Sequence, residues 1–261
     1  MAVIAQGRRL VTLVAIAAAG LTWLIWTPAS PAATKAGRVA KIERLERHLR
    51  NDLKGILARA RGQLIQLAQL PSVQAGDASA CNSDTAARAE PRYTAFGAAD
   101  VSGNVYCLSI PFNPPLSIAD RAYFLRAIGT GGFGVGDFQF GRVTGQGLVG
   151  FGLPVVSGGR TNGIVFATLA LAWYDPRVEA QLKRPARDLL VIDDHGTVLA
   201  HAGPSPVSQG TNLGGTALVK KALEVERSEG ITHFGGRRVF AAIDVVPLSG
   251  DALHVAVTGR P

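Results

Sequence analysis

From Lys35 to Leu70 the apolar residues recur three and four positions apart, at Val39, Ile42, Leu49, Leu53, Ile56, Leu57, Ala60, Leu64 and Leu67. That period is the one-sided stripe of an amphipathic helix. No proline interrupts it until Pro71, so the spacing predicts a helix over 35–70, roughly 50 Å long at 1.5 Å per residue. Its stripe has two seats open to it: the domain that follows, or a twin helix in a dimer. Thr27 to Thr34 (TPASPAAT) reads as a short Pro/Ala linker ahead of it.

Beyond Pro71 the pattern changes to short strands and Gly-rich turns. An internal repeat then appears. Asp100-Val101-Ser102-Gly103-Asn104-Val105 recurs as Asp193-Asp194-His195-Gly196-Thr197-Val198, both Asp-x-x-Gly-x-Val. Asp and Gly supply turn chemistry between alternating apolar flanks, so each copy reads as strand–turn–strand. A helical stretch and further strands follow each copy: 135–140, 147–156 and 163–173 after the first, then 231–234, 238–247 and 253–258 after the second. Ser157-Gly158-Gly159 and Ser249-Gly250-Asp251 are placed to close the last hairpin of each. The pattern predicts two successive α+β modules, over 71–185 and 186–261, joined by a charged helical connector near 175–187.

The first of these modules holds the densest chemistry. In Leu116 to Phe140, Asp120-Arg121 opens an amphipathic helical segment with Tyr123, Phe124, Ala127 and Ile128 at helical spacing. Glycines end it, and a strand begins. Tyr123 and Phe124 are adjacent and face different sides, so one of them is core. Phe138 and Phe140 share one strand face and Gln139 takes the other. Asp137 beside Gly136 is open to two readings, a pocket acid or a turn residue.

Charge narrows the classes of function. The formal net charge is +8, but residues 1–70 carry eleven Lys/Arg against three Asp/Glu, and residues 71–261 carry sixteen of each. The basic excess lies beside an apolar segment and forms no stripe on a reader module, which argues against a nucleic-acid partner. Leu10 to Trp26 is an uncharged run of 17 residues after Arg8-Arg9, ending near Trp23 and Trp26. That is the pattern of an N-terminal membrane anchor with a cytoplasmic tip. Ser30-Pro31-Ala32-Ala33 keeps a second reading open, a cleaved signal peptide. Both readings export everything after about residue 34. In an oxidising compartment Cys81 and Cys107, the only two cysteines, are either a disulfide or two buried thiols.

Catalytic and cofactor signatures are weak. Gly129-Thr130-Gly131-Gly132-Phe133-Gly134 spells G-x-G-x-x-G, yet a helix precedes it and a strand follows, the reverse of a phosphate-binding loop. His48, His195, His201, His233 and His254 are scattered, with no nucleophile elbow or zinc-protease pattern around them. The expectation is no enzyme, no cofactor and no metal.

An N-terminal anchor, a long helix and two PAS-like modules with antiparallel sheets together resemble the double Cache sensor domain of bacterial transmembrane receptors. Tyr93 to Cys107 is similar to that family's first hairpin, and Ala119 to Ala127 to its pocket helix. Phe151-Gly152-Leu153-Pro154-Val155 with Gly163-Ile164-Val165 is similar to its central hairpin. Gly196 to Ala200 and Leu253 to Val257 are similar to its membrane-proximal repeat. The resemblance implies a membrane-distal module (71–185) that binds a small molecule, a membrane-proximal module (186–261), and signalling through the stalk helix, as a homodimer in the bacterial inner membrane with the bulk of the chain in the periplasm. The output would be a histidine kinase or diguanylate cyclase outside this chain; the rival is a complete anchored periplasmic binding protein acting on a separate partner.

For the pocket the resemblance implies Arg121 on a ligand carboxylate, Tyr123 and Phe124 lining the cavity, and Thr168 on the last strand; Asp137 and Phe140 are added as candidates from their place on the following strand. A guanidinium presents a planar fork matched to a carboxylate. Without the family, Arg121 reads equally as a surface arginine paired with Asp120, or as a tie between helix and sheet. Where amino-acid-binding members carry an Asp for the ligand amine, this chain has Thr168. Threonine pairs no ammonium, which implies an organic acid ahead of an amino acid.

Overall fold

In the computed structural model, residues 31–248 and 251–261 are described. The apolar run at 10–26 and most of the Ser249–Asp251 turn lie outside the described residues. Among those described, no helix is long and apolar enough to cross a membrane.

Helix α1 runs from Pro31 to Ala68. It begins four residues ahead of the predicted start and takes in half of the expected linker; a proline suits a first turn, where its missing N–H has no intrahelical partner in any case. Ile42, Leu49, Leu53, Ile56, Leu57, Ala60, Leu64 and Leu67 are all buried. The stripe packs on the chain's own sheets: one continuous core joins it to Tyr93, Val149, Phe151, Val191, Val246 and Val255. One member of the stripe is charged. Glu46, four residues after Ile42, is 2% exposed.

Two short helices, α2 (Pro71–Ala75) and α3 (Ala78–Ala86), stand where strands were expected. The side chain of Asp77 caps α3 by accepting from the amides of Ser79 and Ala80 at 3.0 and 3.1 Å, local chemistry that fixes a helix start whatever follows. A Cys81–Cys107 disulfide joins α3 to the first sheet.

That sheet is built from β1 (Tyr93–Asp100), β2 (Val105–Leu108), β3 (Gly134–Phe140), β4 (Gly147–Ser157) and β5 (Arg160–Ala170), with α4 (Ala122–Thr130) between β2 and β3. The second is built from β6 (Ala186–Asp193), β7 (Val198–Ala202), β8 (Arg227–Phe234), β9 (Arg237–Leu248) and β10 (Asp251–Gly259), with α6 (Ala217–Glu224) in the matching place. Both sheets are antiparallel, in the orders β2-β1-β5-β4-β3 and β7-β6-β10-β9-β8. Helix α5 (Leu171–Gln181) links them. The strand expected to reach Trp173 ends at Ala170, because Leu171, Tyr174 and Val178 bury at helical spacing instead.

The repeat holds down to single hydrogen bonds. The side chain of Asp100 accepts from the amides of Ser102 and Asn104 at 2.8 and 2.9 Å, and that of Asp193 from His195 and Thr197 at 3.1 and 2.7 Å. The fourth position must be glycine for two reasons. Gly103 and Gly196 take φ of 82° and 78°, and a Cβ on either would stand within 3.0 Å of the backbone of Ala119 or Gly214.

Candidate functional site

Arg121 is the N-cap of α4 and makes no capping hydrogen bond. Ser, Thr, Asp or Asn is preferred there, and a cation sits badly against the positive end of the helix dipole. Local helix energetics therefore give no reason for the arginine. Its guanidinium instead crosses to β3, donating to Gln139 Oε1 and to the Phe140 carbonyl, both at 3.2 Å.

Two residues on, Tyr123 is 2% exposed. Glycines make room for it. A Cβ at Gly150 would stand 2.1 Å from ring atom Cδ1, and one at Gly136 would meet the same atom at 3.2 Å. Gly134 and Gly152 likewise face the Tyr123 carbonyl, which a Cβ on either would approach to 2.7 Å. Four glycines of β3 and β4 thus let α4 lie close on the sheet with a tyrosine ring beneath it. Burial pushes the phenol well above its ordinary pKa, opposed by the charges of Arg121 and Arg142. It stays a neutral donor at every physiological pH.

These side chains line a small, open cavity of about 50 Å³. Leu108, Ile110, Leu116, Ile118 and Phe166 make its apolar wall, and Thr94, Gln139 and Thr168 add polar atoms. The β3–β4 loop closes one side with Arg142, Val143 and Thr144. Arg142 holds that loop to the start of α4, donating to the Ser117 carbonyl and to Asp120 Oδ2, the latter at 2.6 Å. The Arg142 hydrogen bond also draws the Asp120 carboxyl below its usual range. Among the described residues, no aspartate or glutamate lines the cavity.

Strand alternation decides which way the site faces. On β5, Ile164 and Phe166 belong to the cluster beneath α4, and Thr168 lines the cavity. Val165, Ala167 and Leu169 face the core shared with α1. The cavity and α1 thus lie on opposite faces of one sheet.

Of the six residues expected at a pocket, three meet there: Arg121, Tyr123 and Thr168. The Thr168 hydroxyl is engaged by Thr94 at 2.5 Å and by the Ala95 carbonyl at 3.3 Å. Phe124, next to Tyr123, is not among the lining residues and packs as core with Ile118 and Ala127. Asp137 leaves the cavity, pairing with Arg126 at 2.8 Å and approaching His195 at 3.6 Å. Phe140 is 64% exposed, its ring edge-on to Phe138. The reason is the strand pleat: Gln139 takes the inward position between two outward phenylalanines.

Arg142 and Thr94 escaped the sequence reading. An arginine in a Gly-flanked loop has no periodicity to mark it, and Thr94 looked like any strand threonine. Asp137, Asp194 and His195 bring ligand atoms within 4.8 Å of one another. The Arg126 guanidinium, 2.8 Å from Asp137 and 4.0 Å from Asp194, already supplies positive charge there.

No protein-family model matches the sequence, and no curated relative does. Solved structures share the fold. The ligand-binding domain of the amino acid chemoreceptor PctB of Pseudomonas aeruginosa PAO1, in complex with L-Arg, aligns with a TM-score of 0.61 at 12% identity, over 85% of this chain and 93% of its own. That of the Pseudomonas fluorescens chemoreceptor CtaA with L-isoleucine gives 0.63 at 12% identity, over 88% and 94%. That of the amino acid chemoreceptor PctC of Pseudomonas aeruginosa PAO1 with GABA gives 0.62 at 15% identity, over 86% and 99%. The chain has the double Cache fold of these ligand-binding domains.

Proposed function

We propose that this chain is the extracytoplasmic sensing region of a membrane-anchored bacterial receptor, and that its distal module (71–185) takes a small organic acid in the cavity under α4. The observation that carries this is Arg121. It stands at a helix start where it gives no cap, on the same cavity as the Tyr123 side chain. A carboxylate there accepts from the guanidinium and from the phenol. The ligands named for the structural neighbours, L-Arg, L-isoleucine and GABA, each pair a carboxylate with an amine. Here the cavity lining offers a cation for the acid end and no carboxylate for an ammonium, so we assign an acid without an amine.

Signalling follows from the sheet. A ligand bound among Arg121, Tyr123 and Thr168 acts on β5 from one face, and the other face carries α1 through Val165, Ala167 and Leu169. A ligand that favours one arrangement of the sheet over another biases α1 by that difference in affinity. The apolar run at 10–26 would pass the bias to the membrane, with a homodimer through the stalk as the receptor's form.

The test is a thermal-shift screen of the full chain in detergent against organic acids, amino acids, purines and polyamines, with Arg121→Ala beside it. A ligand at 100 times its dissociation constant stabilises by about 2.7 kcal/mol. A carboxylate hit lost in Arg121→Ala is the expected result. A ligand of any class that binds wild type and Arg121→Ala alike would move the site elsewhere.

A further inference from the structure

We infer that the cavity under α4 is built for a ligand with two acidic ends, a short dicarboxylate, with Arg121 and Tyr123 taking one end and Arg142 the other. This rests on the acid-binding reading of the same cavity and adds the ligand's class.

Two arginines line one small cavity, from different elements. Arg121 comes from the N-cap of α4 and Arg142 from the β3–β4 loop. Both act electrostatically on the buried Tyr123 hydroxyl between helix and sheet. Two cations on a wall with few other polar groups repel each other across a medium that screens less than bulk water. Part of that repulsion is offset from outside the cavity by Asp120, a carboxylate under the field of Arg142 first and Arg121 second. Asp120 shows that the Arg142 fork takes a carboxylate.

The Arg142–Asp120 contact is also one that a ligand can replace. The side chains are 39% and 64% exposed, and exposed ion pairs are worth little. An incoming second carboxylate exchanges with Asp120 on the Arg142 fork, in the more sheltered interior, and Asp120 returns to water. Because Arg142 holds the β3–β4 loop to Ser117 and Asp120, the same exchange reports the ligand's far end to the loop.

A monoacid meets only Arg121 and leaves Arg142 on Asp120. An α-amino acid brings an ammonium into a cavity lined by two cations and no acid. A diacid matches both charges. The expected order is dicarboxylate, then monocarboxylate, then zwitterion.

The experiment is isothermal titration of the full chain in detergent with butyrate, malonate, succinate, glutarate and L-isoleucine, for wild type, Arg142→Gln and Arg142→Lys. One extra charge-assisted bond corresponds to a preference of about tenfold or more. We expect at least one diacid to bind wild type about tenfold more tightly than butyrate. Arg142→Gln should weaken that diacid about tenfold more than it weakens butyrate, bringing the two level, and Arg142→Lys should fall between. Butyrate and every diacid binding wild type alike would overturn the two-ended ligand and leave the acid site standing. So would an Arg142→Gln protein that keeps the diacid preference, or loses both acids equally. Failure of every carboxylate on wild type would overturn the acid site itself, and the two-ended ligand with it.

Discussion

The two modules share one strand order and one turn motif, yet they treat the space under their helix in opposite ways. In the second module α6 covers Leu190, Ile192, Val198, Ala241, Ile243 and Ala256 with Leu218, Val219 and Ala222, all buried and apolar. Its N-cap is Thr216, whose hydroxyl accepts from the Val219 amide. In the first, Arg121 holds the N-cap position, a tyrosine lies flat on glycines, and a cavity remains. One scaffold thus makes a packed layer or a pocket, depending on whether the first turn of the helix caps itself or points a cation inward.

They also grip α1 differently. The middle of α1, at Leu53, Ile56 and Leu57, packs on Val149, Phe151 and Leu169 of the first sheet and on Val191 and Leu253 of the second. Toward its start, the second sheet meets it through charge. Arg50 Nη1 lies 2.5 Å from Asp244 Oδ2, and Glu46 sits buried close by with Oε1 unpaired. Burial, reinforced by Asp244, lifts the Glu46 pKa from 4.5 to about 7, while Arg50, Arg227 and Arg47 pull it down.

The largest effect on this contrast should come from Glu46→Gln. A carboxyl whose folded pKa is raised binds its proton more tightly folded than unfolded. Stability then falls as pH rises from about 4.5 to about 7 and stays lower above. The glutamine variant should melt higher than wild type at pH 8, by the equivalent of about 2–3 kcal/mol, and match it at pH 4. Thermal melts across that range check it; a constant offset at all pH values would place the effect in packing and not in ionisation.

Next comes Gly150→Ala. The methyl collides with the Tyr123 ring, so the helix must lift or the ring must turn. A loss of about 1–3 kcal/mol is expected, together with the organic-acid response. The equivalent test of the second module is Thr216→Ala, which should cost about 1 kcal/mol through its lost cap. Arg121→Ala should leave ligand-free stability within about 0.5 kcal/mol, since the arginine caps nothing. Equal losses at Thr216 and Arg121 in parallel melts would erase the distinction drawn between the two helix starts.

Much of this was legible in the order of residues. The stripe of α1, the duplicated Asp-x-x-Gly-x-Val turn, the amphipathic segment after Asp120 and the mismatch of the G-x-G-x-x-G string each follow from local spacing. Local spacing also placed Arg121 and Tyr123 on one short helix. It did not turn Asp137 away toward Arg126, because that ion pair joins residues on a helix and a strand whose approach is set by packing. Nor did it separate Gln139 from Phe140, since alternation names two faces without saying which is inward.

The sequence alone determined the periodicities, the turn chemistry and the absence of a recognised catalytic pattern, because each depends on residues close together in the chain. Only the tertiary structure decided that α1 seats its stripe on its own two sheets, that Glu46 is buried beside Asp244, and that Arg142 joins Arg121 at one cavity. Those depend on pairs of elements brought together from distant parts of the chain. Which surfaces meet is settled by the fit of whole faces, and no short window of residues encodes that fit.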